Sequence, residues 1–301
     1  MRVAVAGANG RLGRALVSAL GDAPFTGPGG PIAWTRADFD LDSPASIHDL
    51  LDQHRPEVVI NAAAWTDVDA CARDPDLALR RNAEAVHVAA EATAARGIDL
   101  VHLSTNEVFD GERAHDRGYA PEDPARPANP YGLSKFSGEI AADAAYRGRP
   151  AALAVVRTAW LYGPPGNDFP TKILAAAETA HAEGRPLRVV GDEFGSPSFS
   201  HDVAEAIVEL LGSADIRGIH HVVNTGVTSR AEWAHELFRQ AGVRLEIEEV
   251  PSSTWERAST PPLWGVLEPT RLPSGDPLRP WQAALADYLP MLLRQRAAAA
   301  R

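Results

Sequence analysis

The chain has 301 residues, which is long enough for one large domain or two closely packed ones. Hydrophobic residues make up 45% and charged residues 23%, and no apolar run approaches the roughly 20 residues that a membrane-spanning helix needs. A net charge of −11 gives no positive surface for nucleic acid. The single cysteine, Cys71, excludes an intramolecular disulfide. We therefore expect a cytoplasmic protein without a nucleic-acid or membrane partner.

The first half of the sequence alternates short apolar runs with helical patterns. Four apolar runs predict β-strands: "RVAVAGA", "PIAWT", "PEVVINAAA" and "IDLVHLST". The segments between them predict helices: "RLGRALVSAL", the serine-capped "SPASIHDLLDQH", and the long "DPDLALRRNAEAVHVAAEATAARG". Continuously apolar strands that alternate with helices indicate a parallel sheet covered on both faces. Such a sheet binds ligands at the carboxyl ends of its strands.

After Gly111 the pattern becomes less regular. A loop-like stretch leads to a predicted helix, "YGLSKFSGEIAADAAY". Two further strand-like segments follow, "AALAVVRTAWLYG" and "PLRVVGDEFGSP". The last part predicts two helices on either side of a proline-rich segment: "SRAEWAHELFRQAG" and "PWQAALADYLPMLLRQRAAAAR".

A glycine-rich loop follows the first predicted strand and opens the first predicted helix. Its glycines stand at 7, 10 and 13, in "GANGRLG". This context lets backbone N–H groups and the positive end of the helix face a pyrophosphate. The alternative is a tight turn that binds nothing. The predicted cofactor-binding residues of the loop are Gly7, Asn9, Gly10, Arg11, Leu12 and Gly13.

The end of the second predicted strand bears on the choice of cofactor. An acidic residue at this place would bind the ribose hydroxyls of NAD, but Thr35 and Arg36 occupy it. An arginine pairs well with a 2′-phosphate, so we predict NADPH, with NADH as the alternative. A solvated surface arginine is the competing interpretation of Arg36. Asp40 and Leu41 are predicted to flank the adenine.

The clearest catalytic signal is a tyrosine and a lysine four residues apart. Tyr131 and Lys135 share one face of a predicted helix, and Lys135 is one of only two lysines in the chain, with Lys172. An ammonium group beside a phenol favours the phenolate, so we expect Lys135 to lower the pKa of Tyr131. The guanidinium of arginine is a broad, planar group and would be a poor substitute for this compact charge. An accidental surface pair is the alternative interpretation.

A third hydroxyl completes the candidate catalytic set. Thr105 ends the fourth predicted strand, where a reacting carbonyl group would lie in a parallel sheet. Its hydroxyl can donate a hydrogen bond to the carbonyl oxygen beside Tyr131. Thr105, Tyr131 and Lys135 together indicate hydride transfer to or from a carbonyl group, with Tyr131 moving the proton.

The glycine spacing and this hydroxyl–lysine set resemble the short-chain dehydrogenase/reductase superfamily. Within its extended branch the chain is most similar to dTDP-4-dehydrorhamnose reductases, over nearly its whole length. The motifs that carry the resemblance are "GANGRLG", "VVINAAAWTDVDACARDP", "LSTNEVFDG", "PANPYGLSKFSGE", "VVRTAWLYGPPGNDFPTKIL", "VVGDEFGSPSF", "GVTSRAEWA" and "TPPLWGVLE".

The resemblance implies a fold and a reaction. The fold would be α/β, a Rossmann-type doubly wound parallel sheet with a smaller α/β C-terminal substrate domain. Residues 1–157 and 191–221 would form the NAD(P)-binding domain, and 158–190 and 222–301 the sugar-nucleotide domain. The reaction would be NAD(P)H-dependent reduction of the C4 ketone of a dTDP-4-keto-6-deoxyhexose, dTDP-4-dehydrorhamnose giving dTDP-L-rhamnose. A homodimer is a family-level expectation.

The resemblance also assigns residues that line the site. Ala62, Ala63 and Ala64 would line the cofactor. The sugar would contact Thr66, Val68 and Trp160, although core packing is an equal alternative for Trp160. The nucleotide diphosphate would lie near the segment from Asn167 to Lys172, and also near Arg257.

Asn106 and Glu107 depart from the related families. Sugar-nucleotide dehydratases carry Asp-Glu after the threonine, where the acid protonates a leaving hydroxyl and the glutamate removes a carbon-bound proton. Reductases usually carry Asp-Tyr. Asn106 has no comparably acidic proton, so the elimination chemistry is incomplete. We predict both residues to line the substrate pocket, with Glu107 either binding a sugar hydroxyl or forming a polar wall.

Some family members bind Mg²⁺ through glutamates, one of them just after the glycine loop. Arg14 and Ala15 occupy that place here, so no metal site is predicted. Other functions stay open: a ketoreductase for another NDP-4-keto-deoxysugar of secondary metabolism, an epimerase or dehydratase that retains NAD, and a non-catalytic NADP-binding regulatory subunit.

Overall fold

The computed structural model describes residues 1–113 and 117–299. The strands are β1 (Val3–Ala6), β2 (Ile32–Trp34), β3 (Val58–Asn61), β4 (Asp99–Thr105), β5 (Leu153–Thr158), β6 (Leu161–Tyr162), β7 (Leu187–Val190), β8 (Phe194–Gly195), β9 (Ser198–Phe199), β10 (Gly218–His221), β11 (Thr228–Ser229) and β12 (Ile247–Val250). The helices are α1 (Arg11–Asp22), α2 (Ile47–His54), α3 (Val68–Arg73), α4 (Pro75–Leu79), α5 (Ala85–Ala95), α6 (Pro130–Tyr146), α7 (Phe169–Ala182), α8 (Ser200–Leu211), α9 (Arg230–Ala241) and α10 (Trp281–Ala299).

A six-stranded parallel sheet forms the centre of the fold. Its strand order is β10-β5-β4-β3-β1-β2, and every neighbouring pair runs parallel. All residues of β1 and β3 are buried, as expected for strands that helices cover on both faces. The strand order reverses between β1 and β3, and this is the edge of the sheet where ligands bind in doubly wound folds. The predicted α/β fold class is confirmed.

Two apolar clusters cover the two faces of this sheet. On one face, α1 and α8 bury Leu16, Leu20, Val203 and Ile207 against the strands. On the other face, α2, α5 and α6 bury a second cluster that includes Trp34, Leu51, Val86 and Ala142. Each helix contributes apolar residues at helical spacing, and this pattern predicted α1, α2, α5 and α6 from the sequence. Helix α8 was not predicted.

A third cluster lies in the C-terminal half and does not share the six-stranded sheet. It packs α7, α9 and α10 around the paired strands β7 and β12, with Tyr162, Trp233 and Tyr288 fully buried at its centre. Among the described residues, no helix is long and apolar enough to pass through a membrane. The end of the predicted final helix, beyond residue 299, lies outside the described residues.

Two predicted helices differ in detail from the structure, and three observed helices, α3, α7 and α8, have no counterpart among the predicted ones. The long alanine-rich helix contains a π-helical segment, Arg80–Glu84, between α4 and α5. The predicted serine cap is wrong: neither Ser43 nor Ser46 makes a side-chain capping hydrogen bond. Ser43 has ψ of 60° instead of an extended value, because a 3₁₀ turn at Pro44–Ser46 leads the chain directly into α2.

Candidate active site

The glycine loop is packed too tightly for any side chain at two of its glycines. A Cβ on Gly7, whose φ is +77°, would lie 2.7 Å from the Ala63 nitrogen. A Cβ on Gly13 would lie 2.1 Å from the Gly7 carbonyl oxygen. This packing places the start of α1 beside the ends of β1 and β3. Gly10 caps α1 without a side chain, so the first-turn N–H groups remain available to an anion.

Beside this loop lies a cavity of about 210 Å³. It is lined by most of the predicted cofactor residues: Gly7, Asn9, Gly10, Arg36, Asp40, Leu41, Ala62, Ala63 and Ala64. Its wall also contains three residues that the sequence did not suggest: Phe39, Trp65 and Arg81. The size and the glycine wall of this cavity suit the phosphate and adenosine part of a dinucleotide.

Two arginines, Arg36 and Arg81, border this cavity and differ in exposure and in how closely they contact carboxylates. The side chain of Arg36 is 78% exposed and lies 3.8 Å or more from Asp40 and Asp42. Arg81 instead makes a two-point contact with Asp42, at 2.7 and 2.6 Å, and its guanidinium lies over the Trp65 ring. Arg36 is therefore the arginine that is free to turn toward a ligand.

Arg11, Leu12 and Gly13 line a neighbouring cleft that also contains Thr105, Tyr131 and Lys135. The side chain of Arg11, however, points to backbone carbonyl groups. Its guanidinium donates to the carbonyl oxygens of Gly163, at 3.1 Å, and Gly166, at 2.7 Å. Arg11 thus ties the cofactor loop to the segment that follows β6. Its neighbour Arg14 donates to the Asn9 carbonyl oxygen.

This candidate catalytic cleft has a volume of about 440 Å³ and brings together residues from distant parts of the chain. Thr105, Tyr131 and Lys135 all line it. Several predicted cofactor and substrate residues share its wall: Gly10, Arg11, Leu12, Gly13, Ala62, Ala64, Thr66, Val68, Asn106, Glu107 and Trp160.

Local sequence explains why Thr105 and Tyr131 meet. Asn129 caps α6 by accepting a hydrogen bond from the Gly132 nitrogen at 2.8 Å, and Pro130 occupies the first helical position. Gly132 is required because a Cβ there would lie 2.0 Å from the Glu107 carbonyl oxygen. The start of α6 therefore packs directly on the turn after β4. As a result, the hydroxyl of Thr105 lies close enough to the Tyr131 phenol to favour its ionised form and so to act against the rise in its pKa.

Lys135 is 2% exposed, and its ammonium group donates to the Leu103 carbonyl oxygen at 2.6 Å. Burial lowers the pKa of Lys135 to about 8, while the Glu139 carboxylate acts in the opposite direction. A lysine with this pKa changes its charge near neutral pH.

The expected effect of Lys135 on Tyr131 is wrong for this structure. The pKa of Tyr131 is raised, first because the phenol is buried and next because the Glu107 carboxylate opposes a second negative charge. The Thr105 hydroxyl only partly offsets these effects. Tyr131 therefore stays protonated and is prepared to act as a proton donor.

A buried ion pair lies behind Lys135. Arg157 on β5 makes two hydrogen bonds to Glu139 on α6, at 3.0 and 2.7 Å, and Ser104 on β4 donates to the same carboxylate at 2.5 Å. This arrangement joins three elements directly below the site. The sequence offered one signal for it: Glu139 follows Lys135 by one helical turn.

The π-helical segment also supports the site. Its Asn82 is buried, donates to the Trp65 carbonyl oxygen at 2.9 Å and to the Ser134 hydroxyl at 3.1 Å, and accepts from the Trp65 nitrogen at 2.8 Å. It thus fixes the loop after β3 against α6. Single-turn π segments in helices are frequent at functional sites, but no sequence pattern indicated this one.

The two residues that depart from the related families have different surroundings. Asn106 is buried and donates to the Gly265 carbonyl oxygen at 3.1 Å, so its amide is used within the protein. Glu107 is half-buried and accepts from the Asn129 amide at 2.7 Å. Burial raises the pKa of Glu107.

Trp160 combines both roles considered for it. Its ring stacks on Trp233 of the C-terminal core, with ring centres 5.8 Å apart, yet it is only half-buried and lines the cleft. The guanidinium of Arg230 lies 3.6 Å from the centre of the Trp160 ring. A Cβ on Gly195 would lie 2.5 Å from this ring, so glycine leaves room for it.

A larger cavity of about 1030 Å³ adjoins the cleft at Arg230. It contains the two predicted cations Lys172 and Arg257. It also contains Arg185, Arg188 and the exposed ring of Trp255, which the sequence analysis did not identify. Asn167, the start of the predicted diphosphate segment, lies outside this cavity in a left-handed conformation with φ of 58°.

Comparison with known proteins gives consistent matches over nearly the whole chain. Residues 1–294 match the family model of the RmlD substrate binding domain. A dTDP-4-dehydrorhamnose reductase of Mycobacterium tuberculosis is 36% identical over 96% of this chain and 92% of its own length. A dTDP-4-keto-6-deoxy-D-glucose reductase of Streptomyces niveus is 33% identical over 96% of both chains. The crystal structure of the Bacillus anthracis dTDP-4-dehydrorhamnose reductase in complex with NADP has a TM-score of 0.84, 28% identity, and coverage of 96% and 99%.

The fold and the site define a reductase of the short-chain dehydrogenase/reductase class. A parallel sheet carries a glycine loop after β1 and a threonine, a tyrosine and a lysine around the end of β4. The chain belongs to the RmlD substrate-binding-domain family and is a sugar-nucleotide ketoreductase of the dTDP-4-dehydrorhamnose reductase type.

Proposed function

We propose that this protein uses NADPH to reduce the C4 ketone of a dTDP-4-keto-6-deoxyhexose, with dTDP-4-dehydrorhamnose giving dTDP-L-rhamnose as the leading reaction. The observation that carries the proposal is the joint position of Thr105, Tyr131 and Lys135. They line one cleft that also contains the glycine loop and adjoins the cavity with Lys172 and Arg257.

The nicotinamide cofactor fits the residues present. The two glycines that admit no Cβ, the open first turn of α1 and the adjoining cavity would hold its phosphates and adenosine. The Bacillus anthracis relative is described in complex with NADP, and the freely exposed Arg36 would pair with a 2′-phosphate. A bound cofactor would supply the hydride, and NADH remains the alternative.

The chain's own residues perform the acid chemistry. Thr105 and Tyr131 would both donate hydrogen bonds to the C4 oxygen, and Tyr131 would then give its proton to that oxygen. The raised pKa of Tyr131 suits this direction, because the phenol keeps its proton until the oxygen develops negative charge. Lys135 places a positive charge below the site and would bind the cofactor's ribose.

Charge indicates where the nucleotide would lie. The wall of the larger cavity has five cationic side chains, Lys172, Arg185, Arg188, Arg230 and Arg257, and three carboxylates, Asp69, Glu193 and Glu256. This excess of positive charge suits a diphosphate. The sugar would then reach the cleft past Arg230 and contact Thr66, Val68 and Trp160. We propose that the two parts of the chain bind different ligands. Residues 1–157 and 191–221 would bind the cofactor, and residues 158–190 and 222–301 would bind the substrate. A homodimer and a cytoplasmic location are further proposals from the family.

A second candidate substrate is another NDP-4-keto-deoxysugar. The carboxylate of Glu107 lies in the cleft, and the Streptomyces niveus relative is described as acting on a different 4-keto sugar. Both reactions use the same three residues, so the chemistry of the reducing step is common to them.

The test is to follow oxidation of NADPH with enzymatically prepared dTDP-4-dehydrorhamnose. We expect wild-type protein to oxidise NADPH and Tyr131→Phe to lower kcat by roughly 100-fold or more, since general acid catalysis contributes about 10²–10⁴. Arg36→Ala should raise the KM for NADPH and leave that for NADH unchanged. Tight NADPH binding without oxidation of any 4-keto sugar nucleotide would favour a non-catalytic regulatory subunit.

A further inference from the structure

The position of the Glu107 side chain is determined by Asn129. The side-chain oxygen of Asn129, Oδ1, caps α6 by accepting a hydrogen bond from the Gly132 nitrogen. The side-chain nitrogen, Nδ2, must therefore point the other way. That nitrogen donates to Glu107 Oε2 at 2.7 Å and to the Thr260 carbonyl oxygen at 3.2 Å. The helix cap thus turns the NH₂ group of the Asn129 side chain toward Glu107, and Glu107 accepts a hydrogen bond from it through Oε2.

The second carboxylate oxygen is left for a ligand. Across residues 1–113 and 117–299, Glu107 Oε1 has no hydrogen-bond partner, and Glu107 lines the catalytic cleft with Thr105 and Tyr131. A carboxylate that has lost much of its water is costly unless its oxygens find donors. Oε1 faces the open cleft, where water or an entering ligand can donate to it.

The charges around Glu107 limit what that donor can be. The positive charge of Arg230, at the start of α9, favours the ionised form of Glu107 and so works to lower its pKa. Arg230 also pairs with Glu193 at 3.7 Å, and Glu193 pairs with Arg257 at 2.7 Å. Two carboxylates thus face two guanidinium groups. The array is neutral as a whole, which favours a neutral donor such as a hydroxyl over an ammonium or a carboxylate on the sugar.

Arg230 cannot easily leave this array. Its backbone nitrogen donates to the Glu193 carbonyl oxygen at 3.2 Å, and its guanidinium lies on the Trp160 ring. Ser229 and Glu232 fix the start of α9 through a reciprocal cap. These contacts hold Arg230 in place at the wall of the cleft that it shares with Glu107.

We propose that Glu107 Oε1 accepts a hydrogen bond from the C3 hydroxyl of the 4-keto sugar and makes that hydroxyl a specificity requirement. Thr105 and Tyr131 take the C4 oxygen, so a group on an adjacent ring carbon lies next to Glu107. In a 6-deoxyhexose the C5 neighbour carries a methyl group, which leaves the C3 hydroxyl as the donor. This inference rests on the proposed function.

The test compares two substrates that differ only at C3: a dTDP-4-keto-6-deoxyhexose and its 3-deoxy counterpart. We expect Glu107→Ala to lower kcat/KM for the 3-hydroxy sugar by about 10- to 100-fold, the usual range for a hydrogen bond to a charged group. The change for the 3-deoxy sugar should be smaller by about 10-fold or more, because for that substrate the substitution removes only the influence of the carboxylate on Tyr131. Glu107→Gln, which retains a group able to bond the hydroxyl, should restore part of the loss.

A matched control and a binding measurement separate the outcomes. Glu122→Ala removes an exposed carboxylate of the same loop region and should change neither substrate. Calorimetry with NADP⁺ present gives the Kd of dTDP-L-rhamnose and of its 3-deoxy analogue for each variant.

An equal loss of kcat/KM and of affinity for both sugars in Glu107→Ala would overturn the inference and leave the proposed ketoreductase activity of the wild type untouched. Selective loss of affinity for the 3-hydroxy ligand without turnover in wild type would support hydroxyl recognition and reject the proposed reaction. Failure of wild type to bind either sugar would overturn both.

Discussion

At the scale of single residues, burial shifts the pKa values of two groups in the candidate site, the phenol of Tyr131 and the ammonium of Lys135. Tyr131 has a raised pKa and keeps its proton, whereas Lys135 has a pKa of about 8 and is close to losing its charge. Burial disfavours the charged form of both groups, which explains the opposite directions. The ammonium of Lys135 is thus the group in the catalytic set that titrates nearest to neutral pH.

Activity should therefore fall as the pH rises through about 8, where Lys135 loses its proton in the folded protein. Below this pH the ammonium is present and the rate should be constant. The pH profile of kcat/KM for NADPH oxidation measures this. Lys135→Arg should be slower at every pH, because the fork does not fit, but should lack the decrease near pH 8 since arginine stays charged.

Gly132 provides a second test at this scale. A methyl group there would overlap the Glu107 carbonyl oxygen, which is backbone and cannot move aside easily. We expect Gly132→Ala to displace the start of α6 and lower the free energy of unfolding by about 1–3 kcal/mol, as overpacking usually does. Denaturant unfolding measures the change. Gly148→Ala is not a suitable control because its φ is +73°, whereas Gly21→Ala in α1 meets no atom within 4 Å and should be neutral or stabilising.

At the scale of elements, β4, β5 and α6 are joined by the buried pair Arg157–Glu139 and by Ser104. The side chains of the pair are 2% and 6% exposed. A buried pair is costly to break because the remaining charge has no water. The pair also places the negative charge that partly sustains the ammonium of Lys135.

We expect Arg157→Met to lower the free energy of unfolding by about 3–5 kcal/mol, the usual cost of leaving one buried partner unpaired. The exposed pair Arg147–Asp143 at the C-terminal end of α6 is the control, with side chains 77% and 65% exposed. Asp143→Asn should change stability by less than about 1 kcal/mol. Urea unfolding of the variants makes the comparison. Equal changes in the free energy of unfolding for the two variants would contradict a stabilising role of the Arg157–Glu139 pair.

At the scale of the whole molecule, stability should depend on pH through a histidine buried in the neutral form. Burial, helped by Arg157, lowers the pKa of His221 to about 3. An unfolded histidine titrates near 6.5, so between these values only the unfolded chain binds the proton. The free energy of unfolding should therefore fall as the pH falls from about 6.5 to 3, by up to about 1.4 kcal/mol per pH unit for this residue.

His221→Asn should make that pH dependence weaker, whereas His87→Asn, at an exposed position, should leave it unchanged. Urea unfolding at several pH values between 4 and 7 compares the slopes. An unchanged slope in His221→Asn would mean that other groups dominate acid unfolding.

The sequence by itself was enough to predict the fold class, the glycine loop and the candidate catalytic residues Thr105, Tyr131 and Lys135. These depend on spacing within one element: apolar periodicity, a loop joining one strand to one helix, and a tyrosine and a lysine one turn apart. Composition helped as well, because a chain that uses arginine almost everywhere keeps a lysine at this place.

Only the tertiary structure decided what surrounds these residues. Arg11 contacts Gly163, Asn106 contacts Gly265, and Asn82 contacts Ser134, each across a long separation in the chain. The raised pKa of Tyr131 and the unpaired oxygen of Glu107 depend on such contacts. Burial and charge are properties of the packed surroundings, and local spacing cannot report which distant groups the fold brings to a site.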